Sequence, residues 1–564
     1  MSQKRTCVVT GKEFTISDKE EKYCTTNNIP LPDMCPEERM CQMEGMSNSV
    51  YLYNGTCAFT HKPILTPTPP DKGFTVYDID AWNSDKWDPL SYGQDIDWNR
   101  PFFEQLAELQ KKVPVPSLFV ARSTVVNSDY CNGVGYLKNC YLLFVSANDE
   151  DCLFSFGLFG CKNVVDTLWG TDCEFCYGSF HITNCYNCRF VENCSNCSDS
   201  SFLYNCQGLK NCFGCVNLNN KEYCFYNEPY TKEEYQKKIA EVDLGSNERV
   251  KKEADKFHQF KLKFPHKHLI GKQNENSTGN YLDNTKDCHN CFFSQNIQDL
   301  ENSIQIRDAK DSMDFLGFGM HAELIYRSHG CGDNAYNLKF CLSCFGNVRD
   351  LEYCIYANSG TKDCFGCISL KRQEYCILNK KYSKEEYFAL VERLKEHMRR
   401  SPLRSPDATF EGQAGEYGSF FPPHLSYFYY NQSEGMNYFP ITKEEATKRG
   451  FAWFTEKVED FVPTYTLPDH IRDVKDDVLH AVLRSEKSGK KYRMIKQELE
   501  FYRRMNVPPP HTSPMERIQE NLKHTAILPL KTMKCSRHGE TIETVYDSTK
   551  QQVYCEKCYQ ETIL

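Results

Sequence analysis

The sequence predicts a mainly β protein: a duplicated, cysteine-rich parallel β-solenoid with helical caps, flanked by two related zinc-ribbon-like modules. Three observations carry this expectation. Cysteines are dense and unevenly placed, they recur at a nine-residue step, and two pairs of segments are copies of one another.

Of the 31 cysteines, five lie in residues 1–100, fourteen in 131–224, nine in 288–376 and three beyond. Cys188, Cys197, Cys206, Cys215 and Cys224 stand nine apart, as do Cys131/Cys140, Cys152/Cys161 and Cys176/Cys185/Cys194. A looser version runs through Cys344, Cys354, Cys364, Cys367 and Cys376. The step is too short for a helical-hairpin repeat and suits a solenoid whose coil takes two half-turns, about 18 to 20 residues. Asn, Gly, Asp and Ser between short Phe/Tyr/Leu/Val pieces supply turns and strands.

The solenoid is itself duplicated. "KNCFGCVNLNNKEYCFYNEPYTKEEY" (210–235) matches "KDCFGCISLKRQEYCILNKKYSKEEY" (362–387), which divides the β part into halves at 126–229 and 276–381. Each half ends in a capping box, Thr231-x2-Glu234 and Ser383-x2-Glu386, in which the hydroxyl caps an early amide and the glutamate reaches back. Helical caps follow at 230–275, with linker, and at 382–400. A connecting helix at 101–125 precedes the first half, and an aromatic-rich extended connector, 401–480, follows the second.

The termini form a second duplication. "YCTTNNIPLPDMCPEER" (23–39) aligns with "FYRRMNVPPPHTSPMER" (501–517), Cys57 with Cys535, and "TVYDIDAW" (75–82) with "QVYCEKCY" (552–559). One module thus occupies 1–100 in degenerate form and 481–564 in fuller form. In the first copy Cys7 faces Thr10, Cys57 faces Thr60, and Asp78 and Ala81 fill the last pair. In the second, Ser485 and Ser488 fill the first pair, whereas Cys535, His538, Cys555 and Cys558 are all present. Thiolate and imidazole on two short chelating turns are a structural zinc set, and Gly539 permits the tight turn. A closed four-ligand site holds no water to activate, so the zinc is expected to be structural.

For the solenoid cysteines the expected role is packing, since free cysteine behaves as a small hydrophobe. The sharper reading gives metal or a cluster to Cys173/Cys176, Cys185/Cys188, Cys212/Cys215 and Cys364/Cys367. Gly317-Phe318-Gly319-Met320-His321-Ala322 formally matches G-x-G-x-x-A but lacks a βαβ context, so no cofactor-binding residue is assigned. Asp149, Glu150 and Asp151, or Asp308 and Asp311, are the carboxylates a polysaccharide-cleaving β-helix would use; the bland expectation is solvated turns. The aromatic run Tyr417 to Phe439 is expected to pack along the solenoid flank. Trp82, Trp87 and Trp98 are expected to dock their module onto the first coil.

A net charge of -9 argues against a dominant electrostatic attachment to nucleic acid or an anionic membrane. The N-terminus has no apolar signal core and no stretch reaches membrane-span length, so a cytoplasmic protein with reduced thiols and no membrane partner is expected. N-x-[ST] triplets such as Asn193-Cys194-Ser195 then carry no glycans.

The ends, "WNSDKWDPLSYGQDIDWNRPFFEQLAEL" (82–109), the "NC" repeats, "YTKEEY", "YSKEEY", "EYGSFFPPHLSYFYYN" (416–431) and "YFPITKEEATKRGF" (438–451) together resemble a family of cysteine-rich, zinc-ribbon-containing repeat proteins. These come from small-genome bacteria of the candidate phyla radiation, and their function is unassigned. The resemblance covers nearly the whole chain and implies C-x2-C, C-P-x-C-R, C-x2-C-G and Y-C-x2-C motifs at both ends. This chain departs at Cys35-Pro36-Glu37-Glu38-Arg39, which lacks the second cysteine, and at Ser513-Pro514-Met515-Glu516-Arg517, which lacks both.

The functional expectation is a non-enzymatic binding or scaffolding protein with one structural zinc and an extended surface for a macromolecular partner, protein or nucleic acid. The alternatives are a β-helix enzyme acting on a polysaccharide or other polymer, and a thiol redox or metal-storage protein. No catalytic residue is assigned.

Overall fold

In the computed structural model every third residue from Asn127 to Tyr226 has a positive φ, beginning Asn127, Tyr130, Gly133, Tyr136 and Asn139. Asn, Asp and Gly hold many of these places because their side chains, or lack of one, tolerate the left-handed region. The residue after nearly every left-handed one points inward, exposed Lys221 after Asn220 being an exception. Cys131, Val134, Leu137, Cys140 and Leu143 are all buried in one continuous interior.

Parallel pairing joins each residue to the one twelve positions on, for instance Leu158↔Gly170, Ile182↔Cys194 and Ser201↔Phe213. A coil is therefore four triplets, which corrects the expected 18 to 20 residues. The nine-residue cysteine step is three triplets, three quarters of a coil. The second half keeps the rule with slips, pairing Gly279↔Cys291, Gly271↔Leu282 and Leu351↔Cys364 at steps of twelve, eleven and thirteen.

The structure describes residues 3–317, 319, 327–328, 330, 339–342, 348–357, 360–401, 415–456, 460–547, 549 and 551–563. Cys344 and the Phe318, Met320, His321 and Ala322 of the glycine motif lie outside them.

The coil geometry explains the cysteines. The ladder uses the amides of the left-handed residue and of the one before it, as in Asp151 N–H to Lys138 O and Glu150 N–H to Cys161 O. The inward residue's own amide is left over and must find an acceptor inside the tube. At several positions it finds a polar or sulfur side chain one coil back. Cys212 N–H donates to Ser200 Oγ at 3.0 Å, Thr167 N–H to Ser155 Oγ at 3.0 Å, and Cys206 N–H to Cys194 Sγ at 3.4 Å. The same side chains donate to the carbonyl two residues back, Ser155 at 2.8 Å and Cys194 at 3.2 Å. A side chain here must be small, buried, and able both to accept and to donate. Cysteine meets all three demands.

Thr231/Glu234 and Ser383/Glu386 form reciprocal capping boxes on helices Lys232–Ala240 and Lys384–Arg400. The helix in the 101–125 segment spans Phe102–Lys112. Pro101 offers it no side-chain cap; Glu416 does so instead, its two oxygens accepting from the amides of Phe102 and Phe103 at 2.8 and 2.9 Å. Tyr417, Phe420, Phe421, Tyr427 and Phe428 pack with Phe340, Tyr353 and Phe365 of the second half.

The terminal modules repeat one order of elements. The first has hairpin Gln3–Thr6/Glu13–Ile16, helices Asp18–Thr26 and Pro36–Glu44, hairpin Tyr53–Thr56/Pro63–Thr66, strand Val76–Tyr77 and helix Ile79–Asn83. The second has hairpin Leu483–Arg484/Lys491–Tyr492, helices Lys496–Met505 and Pro514–Leu522, hairpin Lys531–Lys534/Thr541–Thr544, strand Val553–Tyr554 and helix Glu556–Ile563.

Each module docks on the solenoid half remote from it in sequence. Arg39 of the first buries its guanidinium against Asp314 of the second half, at 2.7 and 3.0 Å, and against Glu20 at 3.0 Å. Arg517, its aligned copy, does the same to Asp166 of the first half at 3.0 Å and to Glu498 at 3.3 Å. Each also donates to a backbone carbonyl five residues back, Met34 or Thr512. Trp82 follows this plan, bonding Ser369 Oγ and Pro114 O and lying under Lys371. Trp87 and Trp98 pack in the same cluster, which includes residues of the second half, so the expected docking onto the first coil is corrected.

Candidate metal centre

The C-terminal hairpin closes with Lys534 opposite Thr541, and the turn between them is Cys535-Ser536-Arg537-His538-Gly539-Glu540. Cys535 N–H reaches Glu540 O at 2.7 Å and Gly539 N–H returns to Cys535 O at 3.0 Å. Gly539 takes φ +80, which a side chain would strain. The second turn follows Val553–Tyr554 and runs into the helix Glu556–Ile563, so that Cys555 and Cys558 flank its first turn.

These turns bring together the four residues the sequence singled out. One ligand atom from each of Cys535, His538, Cys555 and Cys558 lies within 4.8 Å of all the others. His538 Nδ1 is 3.0 Å from Cys558 Sγ and 3.8 Å from Cys555 Sγ. Its other nitrogen, Nε2, is 3.3 Å from a Glu540 carboxylate oxygen, a contact that orients the ring with Nδ1 toward the sulfurs. The three cysteines are buried and the histidine is exposed.

Burial pushes the Cys535 thiol up, but the amides of Cys555, Arg537 and His538 outweigh it and bring it down to about 6. Burial lifts Cys555 to about 12 and raises Cys558. One sulfur is thus prepared as a thiolate, and a cation among the three would stabilise the other two as thiolates. The donor set fits a metal ion.

The N-terminal copy keeps the turn without the set. Cys57 Sγ accepts from Thr60 N–H at 3.3 Å and Asp78 N–H at 3.1 Å, just as Cys535 Sγ accepts from Cys555 N–H at 3.3 Å. Asp78, at the place of Cys555, caps the helix Ile79–Asn83. The first pair of turns has diverged twice. Cys7 and Cys35 are neighbours, and the hydrogen bond between them is the main reason Cys7 is lowered to about 5. In the second copy Ser485, Ser488 and Ser513 close around the Glu516 carboxylate, which despite the opposing effect of burial is held at about 2. Glu516 was not singled out by the sequence reading; its place beside three aligned serines is the signal that could have found it.

Elsewhere the predicted groups separate. The solenoid C-x2-C thiols each donate to a backbone carbonyl, as Cys173 does to Thr171 O and Cys367 to Phe365 O. Among the described residues the terminal group is the only cluster with metal-ligand geometry. Asp149, expected as a solvated turn, points into the tube and accepts from Cys161 N–H at 2.8 Å. Glu150 is ion-paired to Lys138 and Lys162, and Asp151 accepts from Asn139. Gly319 is required because a Cβ there would lie 2.1 Å from Arg307 O.

Fold and site define a class: a β-solenoid of triplet-built, twelve-residue coils, braced by duplicated terminal modules and bearing a Cys3His group able to hold a metal ion. No family model and no curated protein matches the chain. No described helix is long and apolar enough to cross a membrane.

Proposed function

We propose that this is a non-enzymatic binding or scaffolding protein in which a structural zinc ion at Cys535, His538, Cys555 and Cys558 fixes the C-terminal module. The observation that carries the proposal is the closed ligand group itself, three sulfurs and one imidazole with a carboxylate behind it. Soft sulfur with imidazole favours zinc over calcium or magnesium. Binding such an ion supplies folding energy to the small lobe around it, whose buried core is Cys535, Ile542, Val553, Cys555 and Cys558.

The surface proposed for a macromolecular partner, protein or nucleic acid, is the outer solenoid column running from Glu150 through Lys162, Glu174, Tyr186, Ser198 and Lys210 to Glu222, each bridged to the next. At about 4.8 Å per coil it extends roughly 29 Å, with Glu and Lys at both ends and the neutral Tyr186 and Ser198 between them. The polymer-cleaving alternative is weakened by the scattering of its carboxylates, and metal storage by the backbone engagement of the solenoid thiols. Buried thiols in such number favour a reducing compartment, the cytoplasm.

Elemental analysis after purification without chelators tests the metal. About one zinc per chain, abolished by Cys558→Ser, is expected. No metal in the intact protein, or several equivalents surviving Cys558→Ser, would overturn the assignment.

A further inference from the structure

The two solenoid halves lie face to face, and a cleft of about 340 Å³ opens between them. One wall carries Trp169 and Phe159 of the first half; the other carries Tyr281, Phe293 and Arg307 of the second. Arg307 draws attention because its charge is unspent. Its guanidinium stacks 4.1 Å over the Phe159 ring, and among the described residues it makes no ion pair or side-chain hydrogen bond. Neighbouring carboxylates are otherwise engaged: Asp308 accepts from Asn296 Nδ2 at 2.9 Å and Asp283 from Lys272 N–H at 3.0 Å. Burial already disfavours its charge and lowers its pKa. Trp169 Nε1–H, in the opposite wall, is buried without an acceptor.

A half-buried arginine whose neighbouring carboxylate is hydrogen-bonded elsewhere gains from an anion supplied by a ligand. The arrangement has the parts of a small-molecule site: aromatic faces for a ring, one fork-shaped cation for an oxyanion, and remaining carboxylate lone pairs for hydroxyls. Its volume is near the lower end of ordinary ligand pockets, roughly 300–1,000 Å³. We propose that the cleft binds a hydroxylated ring compound of monosaccharide size bearing a carboxylate or a phosphate, with Arg307 on the oxyanion. The proposal stands apart from the zinc assignment, which lies in the C-terminal module.

Calorimetric titration of the full chain with glucuronate, glucose 6-phosphate, inorganic phosphate and glucose tests it. Glucuronate or glucose 6-phosphate is expected to bind once per chain with a Kd below about 1 mM. Glucuronate against glucose 6-phosphate separates the carboxylate from the phosphate source, and weaker binding of inorganic phosphate shows that the ring contributes. Arg307→Gln is expected to weaken binding at least tenfold, and Arg307→Lys to retain part of it. Gln295→Glu, which adds a negative charge to the same wall and leaves Arg307 in place, is expected to do the same should Arg307→Gln fold poorly. Failure of both acids to bind, glucose binding as tightly as either, or full affinity in Arg307→Gln and Gln295→Glu would overturn the proposal.

Discussion

Arg517→Met tests the crosswise docking of the modules most directly. The guanidinium lies 3.0 Å from Asp166 and 3.3 Å from Glu498, and all three side chains are less than a tenth exposed. Methionine fills much of the space but leaves two buried carboxylates facing each other without a cation. Burial already raises both carboxyl pKa values even with the arginine present, and without it they rise further. Removing one partner from a buried ion pair costs about 3–5 kcal/mol. Local opening of helices Lys496–Met505 and Pro514–Leu522 should become roughly 10²–10⁴ times more frequent by the conversion of about 1.36 kcal/mol per tenfold. Native-state hydrogen exchange of their amides reads this directly, without requiring the whole chain to unfold in one step. The deficit also has a pH signature. Carboxyls with raised folded-state pKa values hold protons that the opened state releases, so the variant loses stability as pH climbs above about 4 and recovers it on acidification. Arg517→Met combined with Asp166→Asn and Glu498→Gln should restore most of the loss. An exchange change worth less than about 1 kcal/mol, or a deficit independent of pH, would refute the reasoning.

The interior rule predicts that Cys194→Ser is nearly neutral whereas Cys194→Ala costs about 1–3 kcal/mol, because only the latter leaves Cys206 N–H without its acceptor. Thermal unfolding of the two variants, with exchange of the Cys206 amide, decides between this account and simple volume filling. Asp149, lifted to about 7 by burial inside the tube, should give the chain stability that is full below its ordinary pKa near 4 and fades as pH rises through about 7. Asp149→Asn should flatten urea midpoints across that window, on the order of 4 kcal/mol of pH dependence being removed.

The solenoid was legible because the cysteines of the first half fall only on inward places, so that their spacings there are multiples of three. The coil length was not, because no column is pure. The column Cys140, Cys152, Val164, Cys176, Cys188, Ser200, Cys212, Cys224 interrupts its twelve-residue period twice, while the diagonal step of nine happens to be filled. A truer signal stood one residue upstream. Asn184, Asn187, Asn193, Asn196, Asp199, Asn205, Gly208, Asn211, Gly214, Asn217 and Asn220 mark the left-handed corner of eleven of the thirteen triplets in this run, Phe190 and Phe202 holding the other two. The metal-ligand set was legible because self-alignment separated four retained ligands from their lost counterparts. What could not be read was long-range geometry. Nothing local in Arg517 or Asp166 says that residues 351 apart meet.

The terminal modules do more than cover the solenoid, because each touches both halves. In the C-terminal module Arg517 grips the first half, while strand Val553–Tyr554 pairs in parallel with His266–Lys267 at the entry to the second. In the N-terminal module Arg39 grips the second half, while Val76–Tyr77 pairs with Val115–Pro116 at the entry to the first. The two modules are therefore opposed cross-braces, alike at the arginine end and different at the strand end. There the first brace is held by Trp82, whose indole bonds Pro114 and Ser369, and the second by the Cys3His group, with Thr544 Oγ1 donating to His268 O at 2.8 Å. A metal at Cys535 and its partners would accordingly act on the seam between the halves as well as on its own module. Chelation should speed hydrogen exchange at His266 and His268, whose amides bond Gln552 and Tyr554, while leaving Val115 and Ser117 unchanged. Equal acceleration at both seams would show that the metal stabilises the chain globally, and no acceleration at either that the strand pairing holds without it.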